Sequence, residues 1–557
     1  MHWTYQAKGP IVLQGLMRER EMARIAHGLF ASALLLLLAE PAAAGTSEEK
    51  FGEVNFPISC SAAAQAQFRR AVAMLHSFFF PETVKAFTAL ASQEPSCAMA
   101  YWGIAISQRP NPLVAPFPAE LMKNGWQAIE AGRAAGANTQ REKDWIDSLA
   151  VFFKDYDKVD LRTRTLGYEA AMARLSERYP EDDEAAIFYA LALNEAVDLS
   201  DKTYAKQFKA AAILQAIEAR QPNHPGIPHY LIHSYDFAPI CQQGLAAAQR
   251  YAELAPAAPH ALHMPSHTFS MLGMWDESVA ANIKAIVVGK NYAANNNLDG
   301  VFAGAPHSYD FMEYAYLQLG QDGKARAVME EVSAIRKVFR PILGSETGIA
   351  AIPARYMLER QDWRGAAGLE IPPTVNAPPA RAIIHFARAL GAARSGDFPA
   401  AHIDIGKLQE AKAALEKANQ LYWAGQVDVQ ILAAQAWVAH GKGDNAQAIM
   451  LMRAAADLED GSEKHVAMEN RLYPMRELLG DLLMEQGQPA VALSEYEASM
   501  KIAPERLRGF FGAGRAAQAS GDLEKSAGYF RKLAQLTRNA DGDRPEIRSA
   551  QPFASTK

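Results

Sequence analysis

Apolar and small residues recur along this chain at three- and four-residue steps, with polar breaks carrying Gly, Asn or Pro between them, from residue 62 almost to the C-terminus. That period predicts helices with one buried face, and there is no sustained two-residue alternation of β-branched residues to argue for a sheet. The pattern is sharpest over 478–504, LLGDLLMEQGQPAVALSEYEASMKIAP, where Gly480, Gly487, Ala492, Tyr496 and Pro504 mark the places. Gly514, Gly521 and Phe530 repeat three of those five places 34 residues later. Small residues let two antiparallel helices approach, the second glycine suits the inter-helix turn, and proline ends the unit. Such an offset is the period of a two-helix solenoid repeat.

Upstream the pattern continues less regularly. Gly443 with Ala448 and Ala455, Gly396 with Ala401, Gly320 with Ala325 and Met329, and Gly273 with Ser278 and Ala285 each mark a hairpin. Ala210, Leu214, Ile217 and Pro222 have the spacing of a second helix and its exit, and the first convincing pair runs over 62–93 into CAMAYWGIAIS. Two stretches break the rhythm. NAPPAR (376–381), with Pro372 and Pro373 before it, predicts a boundary. AANNNLDGVFAGA (293–305) is long for a connection between helices and is a candidate functional loop. The expected organisation is an all-α solenoid: an N-terminal array over 45–370, a Pro-rich boundary at 371–381, a C-terminal array over 382–537, and a polar, disordered tail at 538–557.

Histidine sharpens the picture. Seven of the fourteen histidines fall between His224 and His307, in HYLIHSYD (229–236), PHALHMPSHTF (259–269) and PHSYDF (306–311). Pro222 closes one repeat, so successive units begin near Pro225, Pro259 and, after the Asn-rich insertion, Pro306. His229 and His233 then occupy the fifth and ninth places of their unit, and Asp236 the twelfth. His260, His263 and His267 occupy the second, fifth and ninth places, and His307 and Asp310 the second and fifth. Residues three, four and seven apart share a helix face. Neutral imidazole is a good ligand for Zn, Cu, Fe or Ni, and aspartate ligates directly or orients a histidine. Eight candidate ligands exceed the four of a structural zinc site, so the expectation is more than one ion, or outer groups that position inner ones. Asn282 and Tyr314 are candidates for further contacts. Pro265 complicates the geometry, because a helix starting near Pro259 would be kinked by it.

The places marked by Gly480 to Phe530 resemble the tetratricopeptide repeat family. The resemblance implies a right-handed α-solenoid of two-helix hairpins whose first helices line a concave groove. It therefore implies that His229, His233, Asp236, His260, His263, His267, His307 and Asp310 face one channel from three adjacent helices. The wording HYLIHSYD…HALHMPSHTF…PHSYDF, with CAMAYWG, is also similar to a group of exported bacterial tetratricopeptide proteins, over roughly residues 55–335. That likeness implies a fold and a compartment but no reaction.

Bulk properties narrow the alternatives. The chain has 557 residues, 49% of them hydrophobic, and a formal charge of −6 without a basic block, so nucleic acid is not an expected partner. No apolar run is long enough for a permanent membrane span. Residues 1–44 read as a cleaved signal peptide: Arg18, Arg20 and Arg24 precede an apolar stretch at 29–39 and a small-residue site ending at Ala44, with the true start at Met17 or Met22. The expected location is the periplasm or beyond. An oxidising compartment would permit a bridge between Cys60 and Cys97, leaving Cys241 as a buried thiol by default, or else as an unpaired reactive thiol or a soft ligand beside the histidines. His76 reads as a packed histidine and His224 as belonging to a solvated turn. No GxSxG, HExxH, paired CxxC or phosphate loop is present. The functional expectation is a transition-metal site (Cu, Fe or Zn) in the groove, either catalytic (metal-dependent oxidation or hydrolysis) or not, with a small molecule or peptide as its ligand. The alternative is a non-catalytic scaffold for a peptide or envelope protein partner.

Overall fold

The computed structural model describes residues 49–469 and 471–554, so the expected signal segment 1–44 lies outside the described residues. Residues 49–557 form one compact unit. The chain is an all-α solenoid in which each helix packs chiefly on its sequence neighbours, as antiparallel pairs joined by short turns. The expected turn chemistry is present. Gly487 takes φ 72° between helices Met475–Glu485 and Pro489–Ile502. At Gly480 a Cβ would come within 2.7 Å of the Tyr496 ring, so a side chain there would push the two helices apart. In the turns that end in Asp397, Asp444 and Asp522, the aspartate accepts a hydrogen bond from a first-turn amide of the next helix, capping it.

One apolar core continues across the expected Pro-rich boundary at 371–381, through Ile352, Val375, Ala380 and Ile384. The tail is not featureless: helix Pro545–Ala550 packs back on the array. Arg544 donates through Nε to both oxygens of the buried Asp322 at 2.9 Å, and Arg508 Nη1 donates to Glu546 at 3.0 Å. A polar, aperiodic sequence can be ordered by specific ion pairs, which periodicity does not reveal. The only strands among the described residues, Val301–Phe302 and Val338–Phe339, pair in parallel and tie the Asn-rich insertion to a later loop. Cys60 and Cys97 form a disulfide, and Cys241 is a buried thiol pushed up to about 11 by burial.

Candidate metal centres

The histidines are carried by three consecutive first helices. Helix Gly226–Tyr235 bears His229 and His233. Pro265 splits the second into Pro259–His263 and Pro265–Met271, yet the joint at Met264 stays right-handed helical, so His263 and His267 keep a common face. Helix Ala305–Gln318 bears His307, with Pro306 in its first turn where no amide partner is lost.

Packing sorts six histidines into two sets. His229, His233 and His260 offer ring nitrogens within 4.8 Å of one another, and so do His263, His267 and His307. Each set takes the fifth and ninth places of one unit and the second place of the next. The two sets are therefore successive copies of one arrangement. The longer step to His307 is absorbed by the Asn-rich insertion. They are not an open groove lining: His229, His233, His263 and His267 are at most 5% exposed.

Hydrogen-bond bookkeeping fixes the tautomers. Asn282 donates through Nδ2 to the Ser278 carbonyl at 2.8 Å, so its Oδ1 faces His263 and accepts from Nδ1 at 2.7 Å. His267 Nδ1 donates to Asp236 Oδ2 at 2.8 Å. Both rings thus carry their proton on Nδ1. Their Nε2 lone pairs nevertheless face each other at 3.1 Å. Two acceptors in that position repel unless a cation sits between them. Bonds of 2.0–2.1 Å from nitrogens to a tetrahedral ion put neighbouring nitrogens roughly 3.3 Å apart, close to what is found. Protonating His267 would remove the conflict, but burial, followed by the neighbouring Lys464 ammonium, holds that ring well below its usual range.

The first set has the same character. His229 Nδ1 donates to the His76 carbonyl at 2.6 Å, leaving a bare Nε2 with His233 Nε2 and His260 Nε2 each 3.1 Å away. One lone pair cannot serve both neighbours well, whereas one ion serves all three. Burial pushes all six imidazoles below the ordinary value, His263 to about 4. Neutral rings are the form that binds metal. His307 Nδ1 is buried without a hydrogen-bond partner among the described residues.

Of the expected aspartates, Asp236 joins the second set as a positioning group, shared between His267 and the Lys464 ammonium at 2.9 Å. Asp310 does not join either set. Its carboxylate is taken by Arg355, with Glu469 N donating to the other oxygen at 3.4 Å. Asn282 orients His263, as above. Tyr314 is directed away, accepting a hydrogen bond from Arg506.

A third group is invisible to the sequence pattern. His224 is not in a solvated turn but fully buried, with His76 and Glu184. His224 Nδ1 accepts from Gly226 N at 3.1 Å, so Nε2 donates to Glu184 Oε1 at 2.9 Å. His76 Nε2 donates to the other oxygen at 3.0 Å and its Nδ1 accepts from Tyr230 OH at 2.9 Å. Burial would raise the Glu184 carboxyl, but the two imidazoles hold it down to about 2. Both oxygens of Glu184 and both nitrogens of each ring are satisfied. The group is a closed hydrogen-bond network, and its His76 carbonyl sets the His229 tautomer.

The metal-ready sets border a cavity of about 820 Å³ that reaches His260, His263 and His307. A smaller cavity of about 130 Å³ touches His233, Asp236 and Lys464. No protein-family model matches the chain, and no curated protein matches it in sequence. Among solved structures, the human IFIT1 dimer with m7Gppp-AAAA is similar to this chain over 86% of its length and 91% of the IFIT1 chain, at 10% identity and a TM-score of 0.36.

Proposed function

We propose that this protein is an exported metalloprotein of tetratricopeptide type that holds two transition ions, of Cu, Fe or Zn class, on its tandem three-histidine sets. The observation that carries this reading is the pair of bare Nε2 atoms of His263 and His267 held face to face at 3.1 Å. Three neutral imidazoles leave room in an ion's coordination shell, as in catalytic rather than closed structural sites. Such an ion supplies Lewis acidity, or one-electron chemistry where the metal is Cu or Fe. The chain's own residues do the rest. Asn282, Asp236 and the His76 carbonyl lock ring orientation, and the surrounding core keeps the imidazoles unprotonated. The cavity against His260, His263 and His307 provides a place for a substrate, which favours an enzyme over a scaffold. The Cys60–Cys97 bridge supports export, since such bonds persist in oxidising compartments.

The test is metal analysis of the purified full-length protein and two double variants. Two ions per chain are expected for the wild type, and one each for His229→Ala/His233→Ala and His263→Ala/His267→Ala. Equal, substoichiometric metal in all three proteins rejects the proposal.

A further inference from the structure

The cavity over the histidines is built by the segments that break the repeat. Ordinary turns in the array are short, as at 486–488 and 520–522, three residues each. Several connections are much longer, among them 107–118, 296–304, 334–342 and 368–377. They are far apart in sequence, yet all four contribute to one cavity wall. Val114 and Phe117 come from the first, Phe302 from the strand inside the second, Phe339 from the third and Ala377 from the last. The parallel pairing of Val301–Phe302 with Val338–Phe339 joins the second to the third. Long connections in compact folds cost ordering entropy and are kept mostly where they bind something. Four converging on one space over the metal-ready histidines indicate a built chamber.

Its chemistry selects the occupant. At about 820 Å³ it has the size of a small-molecule pocket, and the wall is mainly aromatic and aliphatic. Its charged groups are Glu120, Arg340 and Glu346. Glu346 already accepts hydrogen bonds from Asn376 N at 2.5 Å and Ala377 N at 2.6 Å. Glu120 and Arg340 are exposed, and of opposite sign. In the metal-free protein nothing in the wall concentrates charge, so an ionic ligand would be desolvated without a partner, whereas a neutral apolar one gains by burial. We infer that the chamber binds a neutral, predominantly apolar small organic molecule and presents it to the ions on His260, His263 and His307. Only the identity of what lies on the floor rests on the metal reading. The chamber and its ligand class stand on the wall.

The experiment titrates the full-length protein with the neutral fluorophore N-phenyl-1-naphthylamine, metal-free and loaded with copper(II). Saturable binding of one probe per chain is expected. Val114→Trp and Ala303→Trp fill the chamber from different loops, and each should weaken binding at least tenfold with unchanged metal content and melting temperature. Copper loading should quench the bound probe, because the ion lies at the chamber floor. Undiminished binding in whichever tryptophan variants fold overturns the inference, as does absence of saturable binding. Tighter binding of the anionic 8-anilinonaphthalene-1-sulfonate by the metal-free protein overturns the ligand class, and an unquenched probe on copper-loaded protein overturns its placement over the histidines. Chamber-dependent probe binding by a protein that takes up no metal would uphold the chamber and reject the metal centre.

Discussion

The fifth and ninth places of the first two histidine-bearing units hold His229 with His233 and His263 with His267, while the third unit holds Asp310 and Tyr314 there. Helix Ala305–Gln318 therefore has two characters along its length. His307 completes the second imidazole set, and the residues after it enter a region of buried guanidinium and carboxyl groups. Arg355 is fully buried against Asp310, with Glu313 and Glu469 at 4.0 and 3.9 Å. Arg506, also fully buried, bridges Glu477 and Glu359 at 2.7 Å each. Arg508 joins Asp481 at 3.2 Å and Glu546 at 3.0 Å. Both regions are buried polar clusters at the same register of the same repeat. The charged one contains its cations as guanidinium groups. The imidazole one has converging lone pairs and no cation of its own between them. The difference explains why Asp310 is no ligand: its charge is already spoken for by Arg355.

The comparison can be broken most forcefully at Arg355. Arg355→Met leaves the buried Asp310 carboxylate without its counter-ion and should cost about 3–5 kcal/mol in denaturant unfolding. Metal content per folded chain should stay at two. A loss of metal equal to the loss of fold would show that the two regions are one functional unit.

In the imidazole region the corresponding perturbation is addition rather than removal. Saturating the metal-free protein at about a thousandfold over Kd should stabilise it by about 4 kcal/mol per independent site, read as a rise in the urea midpoint. The His263→Ala/His267→Ala variant should retain only one site's share. Glu184→Gln, in the closed third network, should lower stability while leaving two ions bound. A stoichiometry that falls with Glu184→Gln would make that network a metal site as well.

A smaller effect is expected at Asp236. Asp236→Asn removes the carboxylate that holds the His267 tautomer, and outer partners of this kind are worth roughly 10–100-fold in metal affinity. Competition titration should show the weakening in the second set, with the first set within a few-fold of wild type.

A last effect concerns acid and base. Burial raises Glu469 to about 8, so the folded protein keeps its proton where the unfolded carboxyl, near 4.5, has lost it. The folded state then binds more protons across that window, and its stability must fall as pH rises from about 4.5 to 8. Glu469→Gln resembles the protonated acid and should flatten this dependence, with the melting temperatures of variant and wild type converging near pH 5. A slope unchanged by the substitution would mean that Glu469 is ionised and fully paired.

Much of this architecture was legible because its signals are local. The turn glycines, the capping aspartates and the small residue facing Tyr496 act within one hairpin, so spacing alone exposes them. The six histidines were legible as a cluster because their places in the repeat put them on successive helix faces. Their partition was not. The sequence pattern pairs His229 with His263 by offset, whereas packing brings each fifth- and ninth-place pair to the second-place histidine of the next unit. His224 looked like a polar turn residue, and nothing nearby in sequence indicated Glu184, 40 residues away, as its partner.

The sequence by itself determined the helical hairpins, their register and the clustering of imidazoles, since backbone preference and apolar period are properties of short segments. Tertiary structure alone decided which nitrogens carry protons, that Arg355 claims Asp310 across 45 residues, and that four distant loops enclose one chamber. The physical reason is that tautomer, charge state and cavity shape follow from what surrounds a group after packing. Those neighbours come from segments of the chain that no local pattern connects.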